Sequence, residues 1–226
     1  QDAFTRLLHR LEPYPATPWD EARPMVRKEG GLLVLDDSTL DKLYSRKIEL
    51  VSRHWSGKHK RVVWGINPIT LVWNDGDTVV PCDYRVYDKP GDGLTKNDCE
   101  RNATRRLLHR MRQEHPHLGL IVVEDGLASN GPHVRDLQAE SMHFILGAKP
   151  GDHPFLFEQV TAAAEAGVAH ELETVDPQTG RRRSYLAVAG VPLNASHPDL
   201  LVNFVLCVEQ KGDASTTFSW ITDLPV

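Results

Sequence analysis

Two short apolar runs along the chain end in acids. Positions 32–35 (Leu-Leu-Val-Leu) run into Asp36, and positions 120–123 (Leu-Ile-Val-Val) run into Glu124 and Asp125. Uninterrupted apolar runs of this length, bounded by polar turn residues, fit strands buried on both faces. Between them, 62–73 reads as a strand broken at Pro68, and Asn74-Asp75-Gly76-Asp77 is a hairpin signal because Asp-Gly tolerates the positive φ of tight turns. The return strand, 78–87, carries Pro81, which points to a sheet edge or a bulge. A polar loop at 88–93 leads to a helix over 96–114, with Leu107, Leu108 and Met111 on its apolar face and Pro116 beyond its end.

After Asp125 the turn 126–132 offers Ser129 or Asn130 as a helix cap and Pro132 near the first helical position, so a short helix to about 140 follows. A strand at 143–148 and a helix at 154–166 complete the alternation. Beyond Gly167 the texture changes: 169–175 and 182–189 flank the turn 176–180 as a hairpin, and 200–208 and 216–222 add two strands. The pattern divides the chain into a poorly defined segment, 1–29, with Pro13, Pro15, Pro18 and Pro24, an α/β core at 30–166, and a β-rich tail at 167–226.

Composition fits a folded chain: of 226 residues, 40% are apolar and 25% charged. No apolar run approaches the roughly 18 residues of a membrane span. The start, Gln-Asp-Ala-Phe, has neither an initiator Met nor a signal pattern, so the chain reads as a piece of a longer protein. Cys82, Cys99 and Cys207 are odd in number and far apart, which argues for reduced thiols in a cytosolic protein rather than disulfides or a CxxC zinc site.

Charge changes the picture locally. The net charge of −5 speaks against a nucleic-acid partner, yet Lys42, Arg46, Lys47, Arg53, Lys58, Lys60 and Arg61 cluster with His54 and Trp55 and are opposed only by Glu49. These residues are candidates to follow a phosphate backbone, with Trp55 placed to stack on a base. Arg101, Arg105, Arg106, Arg110 and Arg112 recur at helical spacing, and Arg181-Arg182-Arg183 forms a third cluster. The competing reading of each cluster is a solvated face balanced by acids elsewhere. Other chemistries lack their spacing: no two His residues form an HxxxH pair with a Glu, Gly147 to Asp152 lacks the Walker pattern, and Ser38, Ser45 and Ser129 have no His and Asp set.

The order of three strands, helix, strand, helix, strand is that of ribonuclease H-like folds, in which the first and fourth strands are parallel neighbours. That order would bring Asp36 and Asp125 to one sheet edge, where two carboxylates suit Mg²⁺ or Mn²⁺. The phrases at 35–42 (LDDSTLDK), 51–59 (VSRHWSGKH), 92–98 (DGLTKND) and 124–133 (EDGLASNGPH) resemble DDE transposases of bacterial insertion sequences, over about 30–226. The resemblance implies a ribonuclease H-like mixed sheet flanked by helices, with a β-rich insertion in the last third. It assigns the first acid to Asp36, with Asp37 as the weaker candidate, and the second to Asp125. It also implies metal-dependent cleavage and strand transfer of DNA (insertion-sequence ends and target), a homo-oligomer when active, and a bacterial cytoplasmic, nucleoid-associated setting without a membrane.

The third acid of that family is a Glu on a helix after a strand resembling 217–226, so the site is expected to be incomplete in this chain and cleavage weak or absent. The alternative is a non-catalytic transposase remnant that binds DNA or a protein partner.

Overall fold

The computed structural model describes residues 3, 6–7, 10–11, 14–26, 31–44, 47–86, 96–212 and 214–226, the side chains of 96–99 excepted. Arg46, the loop at 88–93 and the side chain of Cys99 lie outside the described residues. No helix among the described residues is long and apolar enough to cross a membrane.

The expected strands form, with α1 (Thr17–Ala22) ahead of them and then β1 (Leu32–Asp37), β2 (Leu40–Asp41), β3 (Ser52–Ser56), β4 (Arg61–Ile66), β5 (Pro68–Asn74) and β6 (Val79–Val86). Next come α2 (Lys96–Glu114), β7 (Ile121–Glu124), α3 (Gly131–Ala139), β8 (His143–Gly147) and α4 (Pro154–Glu165). The tail supplies β9 (His170–Val175), β10 (Arg182–Asn194), β11 (His197–Lys211) and β12 (Ala214–Thr222).

The described residues build a mixed α/β fold on a nine-stranded sheet in the order β6-β5-β1-β7-β8-β12-β11-β10-β9. β1 pairs with β7 and β7 with β8 in parallel, while β5 and β6 run antiparallel on the other side of β1. β12 joins the tail to the core by pairing antiparallel with β8, so the β-rich tail continues the same sheet. The edge position and bulge expected from Pro81 both occur: β6 is an edge strand, and its register slips where Pro81 pairs with Val72.

Two elements differ from the sequence reading. The segment 62–73 is two strands in two sheets, because β4 leaves to pair with β2 and β3 in a small three-stranded sheet and the chain turns at buried Asn67 before Pro68 starts β5. The segment 14–26 also contributes to the core: Trp19 of α1 is buried against Trp73, with ring centroids 5.7 Å apart, and its indole N–H donates to His115 Nε2 at 2.8 Å.

One sheet face carries Leu33, Leu35, Val122, Phe144 and Leu146, all buried and in cross-strand register. Leu107, Leu108 and Met111 of α2 join them in the same core, as the helical spacing predicts. Asn130 decides between the two candidate caps of α3, since its side chain accepts the His133 N–H at 3.1 Å.

Cys82 and Cys207 are free and buried. Burial pushes the Cys82 thiol up to about 12. The thiolate fraction at pH 8 is then roughly one in ten thousand, so Cys82 is expected to resist iodoacetamide at pH 8 in the folded chain and react once it is unfolded. Rapid labelling without unfolding, read by mass spectrometry, contradicts that.

Candidate functional site

Register places the acids. Leu32, Leu33 and Val34 of β1 pair with Ile121, Val122 and Val123 of β7. Asp36 lies within β1, two residues beyond Val34, and Asp125 directly follows β7, two residues beyond Val123, so continuing the register past its last pair brings the two acids to the same end of neighbouring strands about 4.8 Å apart. Both are exposed. Asp37 falls on the opposite face, half-buried, where its Oδ2 accepts Asn67 Nδ2 at 3.3 Å. β1 extends to Asp37, so Asp36 and Asp37 take opposite faces of the strand, Asp36 on the face of Leu32 and Val34.

The Asp125 carboxylate is held at one oxygen, since Oδ1 accepts the Leu127 N–H at 2.9 Å. Its turn lies against the end of β8. Ser129 Oγ donates to the Gly147 carbonyl, and a Cβ on Gly147 would lie 3.0 Å from the Gly126 nitrogen and 3.3 Å from the Asp125 carbonyl carbon. Glycine at 147 lets the two strand ends approach.

The same row continues across the sheet. Val123 pairs with Ile145, so Asp125 is level with Gly147, and Gly147 pairs with Trp220 of β12. A cleft of about 380 Å³ opens here, lined by Asp125, Gly147, Lys149, Phe157, Phe218 and Trp220. The Phe218 and Trp220 rings are nearly parallel, 13° apart in plane, with centroids at 5.9 Å. Exposed Lys149 runs past Gly126, its Cε 3.8 Å from where a Cβ would sit. It also borders a second cleft of about 370 Å³, shared by Asp125, Ser129, Asp152 and His153. Burial pulls His153 below the usual imidazole range, against an opposing pull from Asp152.

A larger cavity, about 750 Å³, lies elsewhere, among Trp19, Pro24, Trp73, His115 and Leu118. Leu118 precedes β7, so this cavity is at the entry ends of the strands and away from the acids.

Two carboxylates suit Mg²⁺ or Mn²⁺, which take oxygen ligands and commonly bind proteins through one or two carboxylates. Among the described residues no group of three or more His, Cys, Asp or Glu side chains is arranged to hold a metal ion. Two further acids near the end of the chain are engaged elsewhere. Glu209 pairs with Arg181 and Arg183. Asp223 binds His143 and the Phe144 N–H at the start of β8, about 13 Å along the strand from the level of Asp125.

The basic candidates sort by face. Arg53 and Trp55 of β3 pair with Trp64 and Val62 of β4, and these four share one face of the small sheet. Arg53 and Trp55 are exposed there; Lys47, Lys58, Lys60 and Arg61 are also exposed, Arg61 pairing with Ser56 on the opposite face, and Lys42 is half-buried. His54 is corrected out of this set: strand alternation turns it inward to 3% exposure, where it hydrogen-bonds Ser52 at 2.7 Å.

The other clusters are partly structural. Arg112 donates to the carbonyls of Glu140, His115, Leu118 and Ser141, and Arg110 binds Asp83 and Glu114. Arg181 and Arg183 are taken by Glu209.

No protein-family model and no curated protein matches this chain. Among solved structures, one similar chain is that of the piggyBac transposase in a cryo-EM synaptic complex with hairpin DNA, at 10% identity and a TM-score of 0.46. The match covers 86% of this chain and 33% of that one, so the chain spans about a third of the length of that transposase. The likeness is distant.

The sequence missed one feature of the site. Glu124 reaches the opposite face from Asp125 and meets His133 at 2.7 Å, both side chains 8% exposed. The phrase EDGLASNGPH contains both residues, but nine positions of separation follow no helical or strand period, so periodicity gives no sign that they touch.

Proposed function

We propose that this chain carries the acidic pair of a metal-dependent phosphodiester-transfer site of the transposase kind, acting on DNA. The observation that supports the reading is the position of Asp36 and Asp125 at the same end of adjacent parallel strands, each two residues past the Val34–Val123 pair. The order β6-β5-β1-β7-β8, with only β1, β7 and β8 parallel, supports a ribonuclease H-like core, and β9 to β12 then correspond to its β-rich insertion. The sequence phrases around both acids support the insertion-sequence transposases as the family.

Asp36 and the second oxygen of Asp125 are the groups that would hold Mg²⁺ or Mn²⁺. When bound, such ions activate an attacking oxygen and stabilise the leaving one. The chain's own residues do the rest: Lys149 offsets phosphate charge beside Asp125, and the Phe218 and Trp220 rings offer a stacking surface in the same cleft. Lys42, Lys47, Arg53, Trp55, Lys58, Lys60 and Arg61 contribute a basic, partly aromatic surface for the DNA backbone. Insertion-sequence ends and target DNA are the proposed partners, and a homo-oligomer the proposed working form.

A second reading, DNA binding without cleavage, is favoured by the lack of a third metal-ligating side chain in the group among the described residues. Duplex DNA binding measured against salt tests the shared part. Changing Arg53, Lys58 and Lys60 to Ala is expected to reduce the slope of log K against log salt by about 0.9 for each lost phosphate contact. A wild-type slope near zero contradicts both readings. Mn²⁺-dependent nicking of supercoiled plasmid, lost in Asp36→Ala, selects the first; binding without nicking selects the second.

A further inference from the structure

Glu124 is the last residue of β7 and His133 sits in the first turn of α3, so their contact closes the base of the turn that carries Asp125. Glu124, paired with Leu146, turns its side chain to the buried face, and exposed Asp125 follows it as the first residue of the turn. Whatever fixes the rotation of the strand end about its axis through Glu124 therefore also fixes the direction of Asp125.

Every other tie in the segment serves the same end. Asp125 Oδ1 takes the Leu127 N–H, Ser129 Oγ reaches the Gly147 carbonyl, and Asn130 Oδ1 takes the His133 N–H. Gly131 is pressed by the His197 ring, 2.4 Å from where a Cβ would stand, so β11 holds the start of α3 from the far side. Of these ties the Glu124–His133 contact is the one made by two ionisable side chains, both buried. Glu124 borders the Asp125 cleft but its carboxylate is engaged by His133, which lines neither that cleft nor its neighbour.

We infer that Glu124 and His133 form a positioning pair that holds the 125–132 turn so that Asp125 stays on the Leu127 N–H with its second oxygen toward the cleft. The consequence for metal affinity rests on the reading of Asp125 given above; the consequence for the turn does not.

The test uses the whole chain and two readouts: hydrogen exchange of the Leu127 amide relative to the amides of β8, and Mn²⁺ affinity from the paramagnetic resonance of free Mn²⁺. In His133→Ala the Leu127 amide is expected to exchange about tenfold faster on that relative scale, and Mn²⁺ affinity to fall about 10- to 100-fold, the range for lost outer-shell partners. His133→Gln, whose amide can donate to Glu124, is expected to restore most of both. Leu137→Ala, which loosens α3 elsewhere, should change neither. If His133→Ala does not fold, His133→Leu fills the space without a donor and carries the same expectation. Unchanged Leu127 exchange in the donor-free variant, an equal change in Leu137→Ala, or no recovery in His133→Gln overturns the pairing role. If wild-type protein fails to bind Mn²⁺, the metal reading falls, and Leu127 exchange still decides the role of the pair.

Discussion

Asp125→Ala is expected to weaken Mn²⁺ binding by more than about 100-fold, beyond the 10- to 100-fold typical of losing an outer-shell partner. The reason is the row itself: with Asp125 gone, Asp36 is the one carboxylate left at that level of the two parallel strands. The side chain is exposed and its one resolved hydrogen bond is to Leu127 N–H, so the loss to stability is small, about 1 kcal/mol. Binding and folding therefore separate in this variant. Asp37→Ala is the matched control, because its carboxylate lies on the opposite face against Asn67 and should leave Mn²⁺ affinity within about threefold. Calorimetric titration alongside thermal unfolding reads both quantities, and unchanged affinity in Asp125→Ala rejects the assignment.

Trp73→Ala is expected to lose about 3–5 kcal/mol of stability, a large part of the roughly 5–15 kcal/mol that holds a domain folded. Trp73 is fully buried on β5, paired with Leu33 on one side and Val80 on the other, and packed on Trp19. Gly31 lies so close that a Cβ there would stand 1.9 Å from the indole ring, so the ring has no slack and its removal leaves a cavity. Its indole Nε1 is buried without a hydrogen-bond partner among the described residues. Trp73→Phe removes that donor while keeping an aromatic ring, and should cost less than about 1.5 kcal/mol. Denaturant melts of the two variants check the ordering; a Phe variant as unstable as the Ala variant would mean the indole N–H is satisfied.

Much of the core was legible because its signals are local. β1 and β7 are apolar runs ending in acids, and α2 occupies 96–114 because its leucines and Met111 recur on one face. The small sheet was only partly legible, because His54, Ser56 and Gly65 share its inward face with Val63 and break the apolar alternation that marks a strand. That inversion also explains the correction at His54: a histidine among lysines and arginines reads as a surface residue until the pleat assigns it a face.

Trp19 was missed because a six-residue helix among prolines has no period to read, and its partners Trp73 and His115 are distant in sequence. That Asp36 and Asp37 take opposite faces needed the strand's extent and register, which no composition or spacing supplies. Arg110 and Arg112 looked like a wet face by spacing, yet long side chains can fold back onto carbonyls and carboxylates, as these do.

The proposed site holds one divalent cation between Asp36 and Asp125. Mn²⁺ added to isotope-labelled protein measures this directly, by broadening the amide resonances nearest the ion. Broadening centred on 35–37 and 125–127 is expected, abolished by Asp36→Asn or Asp125→Asn alone. Saturable broadening centred instead on the Asp75–Asp77 turn or on Asp41 and His59, or broadening that survives both substitutions, would contradict it.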